Sequence, residues 1–274
     1  MRMYVLDLGT MRMDRSLFFR NWRLASRAEP EPRGAMMEFP ISAYYIDHPD
    51  GRVLYDTGCN PEAMGPGGRW SPFVQEHFAH SGTPECELPA RLEQLGIGPD
   101  DIRYVVLSHM HNDHAGCVEF FRNSTLIVHE DEFSAALRDY ATGARDSPYT
   151  WADTDHWIRL GLDWHLLGRE QRQMTLNDRV TIHNWGSGHS YGMLGLEVEL
   201  RGQPGVILTS DAVYCSGNYE PPVQLPTVMH DSLGYRGTLE RVRELSRRTR
   251  RQVWFGHDAE QFAGLRKSTD GWYE

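Results

Sequence analysis

Four apolar runs in this chain of 274 residues each end on side chains of the kind that bind metal ions. "YVVLSHMHNDH" (104–114) closes on His109, His111, Asp113 and His114, and "VTIHNWGSGH" (180–189) closes on His189. "VILTSDA" (206–212) delivers Asp211, and "QVWFGHD" (252–258) delivers His257. Short runs rich in β-branched and aromatic residues, bounded by Gly, Asp and Ser, read as strands. An imidazole or carboxylate at the tip of a buried strand is costly unless a cation or a set of hydrogen bonds compensates it. One such residue is ordinary, and lone histidines such as His129 and His183 read as satisfied strand residues. Four such tips in one chain constrain the fold: the strands have to bring their ends together.

Composition narrows the class. Hydrophobic residues make up 40% of the chain and charged residues 24%, the balance of a globular protein. The length fits one α/β domain over 1–274 with a sizeable core. A net charge of −10 leaves no broad basic surface for nucleic acid. The most basic stretch, "RVRELSRRTRRQ" (241–252), carries Val242 and Leu245 at helical spacing and reads as the solvated face of a late helix. No run approaches the roughly 20 apolar residues of a membrane span, and the N-terminal "MRMYVLDLGTMRMD" has no signal-peptide pattern. Cys59, Cys86, Cys117 and Cys215 are scattered without a CxxC pair, so no disulfide framework is indicated and the expected compartment is the cytoplasm.

The rest of the chain alternates strand and helix patterns. "DHPDG" (47–51) reads as a hairpin turn between two β-rich runs. "RAEPEPRGAMMEFP" (27–40) reads as a loop or lid, and "CNPEAMGPGGRWSP" (59–72) as a second loop. Helices are expected over 85–96, after the strand in "STLIVHEDEF" (124–133), and near 236–249. The Trp-rich stretch around 130–175 is expected to be a helical insertion.

His109 and His111 lie two apart, so in an extended segment both imidazoles point to the same side. Asp113 and His114 follow where the chain turns and can face the same cavity from another direction. Five histidines and two aspartates are more than one ion needs, and they suit a pair. Neutral imidazole with carboxylate fits zinc, iron, nickel or manganese, and the lack of thiolates argues against a purely structural zinc site.

In this order of motifs the chain resembles the metallo-β-lactamase superfamily, from the first strand through His257. The resemblance implies an α/β fold, a four-layer αβ/βα sandwich with two mixed β-sheets, external helices and the metals at one edge. It also implies two divalent ions, zinc in the first place and iron, manganese or cobalt as alternatives. His109, His111 and His189 would hold one ion, Asp113, His114 and His257 the other, and Asp211 would bridge them. Asp56, in "VLYDTG", matches the acidic residue that orients a ligand histidine. The oxygen-reducing diiron branch is set aside because it has Glu where this chain has His111.

Within the superfamily, Tyr214 in "DAVY" resembles the tyrosine of the N-acyl-homoserine lactonases, which contacts the substrate carbonyl. That implies a hydrolase opening a lactone ring through a hydroxide shared by the two ions, with Tyr214 stabilising developing charge and Asp113 passing a proton to the leaving oxygen. The alternatives are a glyoxalase II-like thioesterase, another carboxylic ester hydrolase, and a non-catalytic metal-binding sensor. The expected partner is a small lactone or ester, with neither nucleic acid nor membrane. Phe19, Trp22, Met36 and Met37 are candidates for the substrate pocket, and "SLFFRNW" (16–22) for a homodimer contact.

Overall fold

The alternation of side chains along the first strand sets the layers of the molecule. A computed structural model describes residues 1–274. In β1 (Arg2–Asp14), Met3 and Val5 enter one hydrophobic cluster, and Tyr4, Leu6 and Leu8 enter another. Successive residues of a strand point to opposite faces, so a strand buried on both faces has to be covered from both sides.

One sheet also contains β2 (Met36–Asp47), β3 (Val53–Tyr55), β4 (Ala79–Ser81), β5 (Tyr104–Val106), β6 (Thr125–His129) and β7 (Asp163–Leu167), in the order β4-β1-β2-β3-β5-β6-β7. The other contains β8 (Gln173–Asn177), β9 (Val180–Gly186), β10 (Met193–Val198), β11 (Val206–Leu208) and β12 (Gln252–Trp254), in the order β12-β11-β10-β9-β8. Both sheets mix parallel and antiparallel pairs. Between them, Val5, Ile46, Val106 and Ile127 pack against Ile182, Leu196, Leu208 and Trp254.

Helices cover the outer faces. α1 (Arg15–Phe18) and α2 (Pro72–His77) are short, and α3 (Leu88–Gln94), α4 (Glu130–Thr142) and α5 (Trp151–Leu160) follow. Leu92, Ala135, Ala136 and Trp157 from the last three join Leu6, Leu8, Leu126 and Val128 of the first sheet. After α6 (Ser216–Tyr219), α7 (Ser232–Thr249) lays Val242 and Leu245 on Trp185, Met193 and Ile207 of the second sheet, and α8 (Ala259–Gly264) follows β12. The arrangement is the αβ/βα sandwich expected from the sequence. No helix is long and apolar enough to cross a membrane.

Three expectations change. Residues 36–40 are the start of β2 and no part of a loop, since Met36–Asp14 through Thr10–Pro40 pair along β1. The stretch 130–175 holds two helices, but Asp163–Leu167 forms β7, which pairs in parallel with β6. As an edge strand exposed over most of its length, β7 lacks the apolar alternation by which a strand is recognised. The last long helix starts four residues earlier than 236, at Ser232, because Asp231 caps it by accepting from the backbone N–H of Leu233 and Gly234.

Register brings the tips together. β11 and β12 run parallel with Leu208 opposite Trp254, so Asp211 and His257 emerge at the same distance beyond the paired ends. β3 and β5 run parallel with Tyr55 opposite Val106, placing Asp56 and the His109 segment beside one another. Leu196 lies fully buried between the sheets. Replacing it with Ala should lower stability by about 2–5 kcal/mol, read from the urea unfolding midpoint at unchanged slope.

Candidate metal centre

The tautomers of the histidines follow from what their outer nitrogens touch. His189 Nδ1 lies 3.1 Å from the carbonyl oxygen of Val228, and His257 Nδ1 lies 2.9 Å from that of Pro40. A carbonyl can only accept, so Nδ1 carries the proton and Nε2 presents a lone pair. His114 Nδ1 faces Asp56 Oδ2 at 2.9 Å, so a proton sits on that outer nitrogen as well. These Nε2 atoms all point inward, toward the other imidazoles and the carboxylates of Asp113 and Asp211.

His189 Nε2 lies 3.2 Å from His109 Nε2 and 3.0 Å from His111 Nδ1. Three imidazole nitrogens gathered that closely suit a shared cation. Two nitrogens on a tetrahedral zinc at the usual bond length would be about 3.3 Å apart, close to what is seen. On the other side, His114 Nε2 and His257 Nε2 lie 3.4 and 3.6 Å from Asp113 Oδ2. Asp211 stands between the two sets. Its Oδ1 is 2.9 Å from His257 Nε2 and 3.3 Å from His114 Nε2, while its Oδ2 is 3.3 Å from His189 Nε2 and 3.9 Å from His109 Nε2. His114 Nε2 and Asp211 Oδ1 are buried without a hydrogen bond of acceptable geometry. The donor set fits two divalent cations sharing one carboxylate.

Electrostatics agree with that fit. Burial, reinforced by neighbouring imidazoles, pushes His109 and His111 well below the ordinary histidine range, so both stay neutral. Burial also disfavours charge on His114, yet Asp113, Asp211 and Asp56 outweigh it and hold that ring well above the range. Burial raises the Asp211 carboxyl, and His257, His114 and His189 outweigh it, leaving the group well below the usual carboxylate range. The pocket is built to hold positive charge.

Over these groups lies a cavity of about 200 Å³, walled by Met11, Met13, Phe39, Phe73, Val74 and Phe78. Tyr214 lines it too, with its hydroxyl 3.0 Å from His189 Nδ1. None of Phe19, Trp22, Met36 and Met37 does, which corrects the expected pocket. Phe19 is buried in the core against Gly217, Trp22 lies under Arg15 and Arg23, Met36 is half exposed, and Met37 packs on the outer core of the first sheet. From the "MMEFP" segment the residue that reaches the cavity is Phe39, whose ring sits 4.8 Å from that of His257. In "SLFFRNW", Phe18 and Phe19 are buried inside the protomer, which removes them as an exposed homodimer contact.

The sequence pattern of the metallo-beta-lactamase superfamily matches residues 36–257. The chain belongs to the metallo-beta-lactamase superfamily. It is 48% identical over 273 residues to the N-acyl homoserine lactonase AiiB of Agrobacterium fabrum, covering 100% of this chain and 99% of the relative. Its identity to the protein of the same name from Rhizobium rhizogenes is 47% over 273 residues, with the same coverage. Among solved structures, an N-acyl homoserine lactone hydrolase with the product N-hexanoyl-L-homoserine at its catalytic metal center superposes with a TM-score of 0.81 at 25% identity, covering 98% of each chain.

A further buried carboxylate lies beside the cluster. Glu132, in the first turn of α4, is fully buried. Its carboxylate accepts from the Met110 N–H at 3.0 Å, the Ser190 hydroxyl at 2.6 Å and the Gly192 N–H at 3.1 Å. It therefore ties the loop of His109 and His111 to the loop of His189. An acid in a helix's first turn is usually explained by the helix dipole, so nothing in the sequence marked it.

Asp56 braces the same site from the other side, accepting from Ser108 N at 2.7 Å, Ser108 Oγ at 2.8 Å and His114. Outer partners of this kind fix ring orientation and tautomer. Asp56→Ala is expected to weaken zinc binding about 10–100-fold, measured by competition with a chromophoric chelator. Unchanged affinity would show that His114 needs no brace.

Proposed function

We propose that this protein is a metal-dependent hydrolase that opens the lactone ring of N-acyl homoserine lactones. The observation that carries the reading is the Tyr214 hydroxyl beside the imidazole–carboxylate cluster, at the floor of an apolar cavity. The full-length likeness to two N-acyl homoserine lactonases supports the same substrate class.

A pair of divalent cations, with zinc our first choice, supplies when bound an activated water and polarisation of the scissile carbonyl. His109, His111 and His189 would hold one cation, Asp113, His114 and His257 the other, and Asp211 both. Because Val228 fixes the proton on His189 Nδ1, that nitrogen can only donate toward Tyr214. The phenol oxygen accepts, and its own proton is free to point into the cavity. Tyr214 then donates to the carbonyl oxygen as negative charge gathers there.

Asp113 turns Oδ2 toward His114 and His257. Its Oδ1 is the atom available to carry the proton that leaves the attacking water and reaches the departing ring oxygen. The apolar walls accept an acyl chain. No Lys or Arg lines the cavity, so the carboxylates of a glutathione thioester find no partner there. We place the enzyme in the cytoplasm, where its four free cysteines stay reduced.

Hydrolysis of N-hexanoyl-L-homoserine lactone in a pH-stat, with S-lactoylglutathione in parallel, tests the reading. The lactone should be opened, the thioester left largely intact, and the activity lost to a chelator and restored by zinc. Turnover of the thioester alone, or activity indifferent to chelation, would overturn it. Tyr214→Phe should lower kcat about 100-fold with the zinc content of the purified protein unchanged.

A further inference from the structure

Eight polar side chains line the cavity. Five of these belong to the candidate metal centre, and Tyr214 stands on His189. Asp146 accepts from the Ser71 hydroxyl at 2.7 Å. Asn112 alone is unexplained. It is only 8% exposed, and its backbone N–H is fixed to the Pro148 carbonyl at 2.9 Å. Its carboxamide makes no hydrogen bond to any other group of the protein, although it faces a cavity whose walls are apolar.

The polar atoms of the carboxamide are open to the cavity, so water serves them until a ligand displaces it, and a polar group that loses its water needs a partner in its place. The carboxamide offers a C=O acceptor and two N–H donors. A secondary amide offers the complement, one N–H and one C=O. In the substrate class proposed above, the ester oxygens of the lactone would face Tyr214 and the residues that would hold the cations. The acyl chain goes to the apolar wall. The exocyclic amide is the one polar group of such a molecule still without a partner, and it lies between ring and chain.

We propose that the Asn112 carboxamide is a specificity-determining group that binds the exocyclic amide of the substrate. The proposal rests on the lactonase reading and deepens it. When substrate displaces water from the cavity, Asn112 keeps a partner only if an amide arrives with the ring. An alkyl lactone strands the carboxamide against hydrocarbon, so the residue both attracts amide lactones and disfavours plain ones. A site built to hydrogen-bond a polar group rejects the analogue lacking it far more strongly than an apolar pocket rejects a change in size.

The test compares N-hexanoyl-L-homoserine lactone with an α-alkyl-γ-butyrolactone of equal chain length, on the wild-type zinc enzyme and on Asn112→Ala. The variant should lose about 10–100-fold in kcat/KM on the amide lactone, gain on the alkyl lactone because no carboxamide is stranded there, and keep its zinc. Equal losses on both lactones, or no loss on the amide lactone, would overturn the proposal while leaving the lactonase reading intact. Wild-type turnover of neither lactone would overturn both. A measurement on wild type alone guards against a misfolded variant: N-hexanoyl-L-homoserine should inhibit about tenfold more strongly than the amide-free hydroxy acid of the same length. Equal inhibition would also overturn the proposal.

Discussion

The structure turns on the burial of inward-facing imidazole lone pairs against two carboxylates. Nothing in a protein interior tolerates such a cluster without compensation, and the outer shell is arranged so that it cannot relax away. Val228 and Pro40 carbonyls hold the protons of His189 and His257 on the outer nitrogens. Asp56 does the same for His114. Each of these contacts keeps a proton on the outer nitrogen and turns the inner nitrogen toward the carboxylates, where a cation would be held from both sides.

Holding that arrangement strains the backbone. Asp56 and Ser210 both adopt positive φ, at 61° and 47°, a region that side-chain-bearing residues avoid and that clusters at functional sites. The two residues meet: Ser210 Oγ lies 3.2 Å from Asp56 Oδ2 and 2.9 Å from Ser108 Oγ. One hydrogen-bonded knot therefore joins the tips of β3, β5 and β11, strands drawn from both sheets. Gly256 brings the tip of β12 in as closely. A Cβ there would stand 2.7 Å from the Ser210 carbonyl carbon and 2.9 Å from Asp211 Oδ1, so only glycine lets His257 approach the shared carboxylate.

The legible part of the sequence was the part where one residue type has one plausible reason to be where it is. His109, His111 and Asp113 stand out because an apolar strand ends on them. The layers were legible through strand alternation, as in Met3 and Val5 against Tyr4 and Leu6. The cavity wall was not, because it is assembled from β1, β2 and α2, far apart in the chain, and contact there depends on strand parity. Met37 and Phe39 share a face of β2 and Met36 does not, yet only Phe39 lies far enough along the strand to reach His257. β7 was hidden because an edge strand need not alternate. Glu132 was hidden because its hydrogen bonds reach across 22 residues to Met110 and 58 to Ser190, a distance no local pattern records.

The division between floor and wall explains how one fold can keep its chemistry while changing its substrate. The floor is overdetermined: His114, His189 and His257 each have an outer partner, and the backbone at Asp56 and Ser210 is strained into place. Changes there propagate through Asp56, Ser108 and Ser210 at once. The wall is built from Met11, Met13, Phe39 and the half-exposed Phe73, where Met in particular adapts its shape readily. Asn112 sits at the seam. Its neighbours His111 and Asp113 belong to the floor, and its backbone is tied to Pro148, so its position is rigid while its side chain is uncommitted. A residue with a fixed backbone and an unpaired head can select a polar feature of the substrate without disturbing the cation site one residue away on either side.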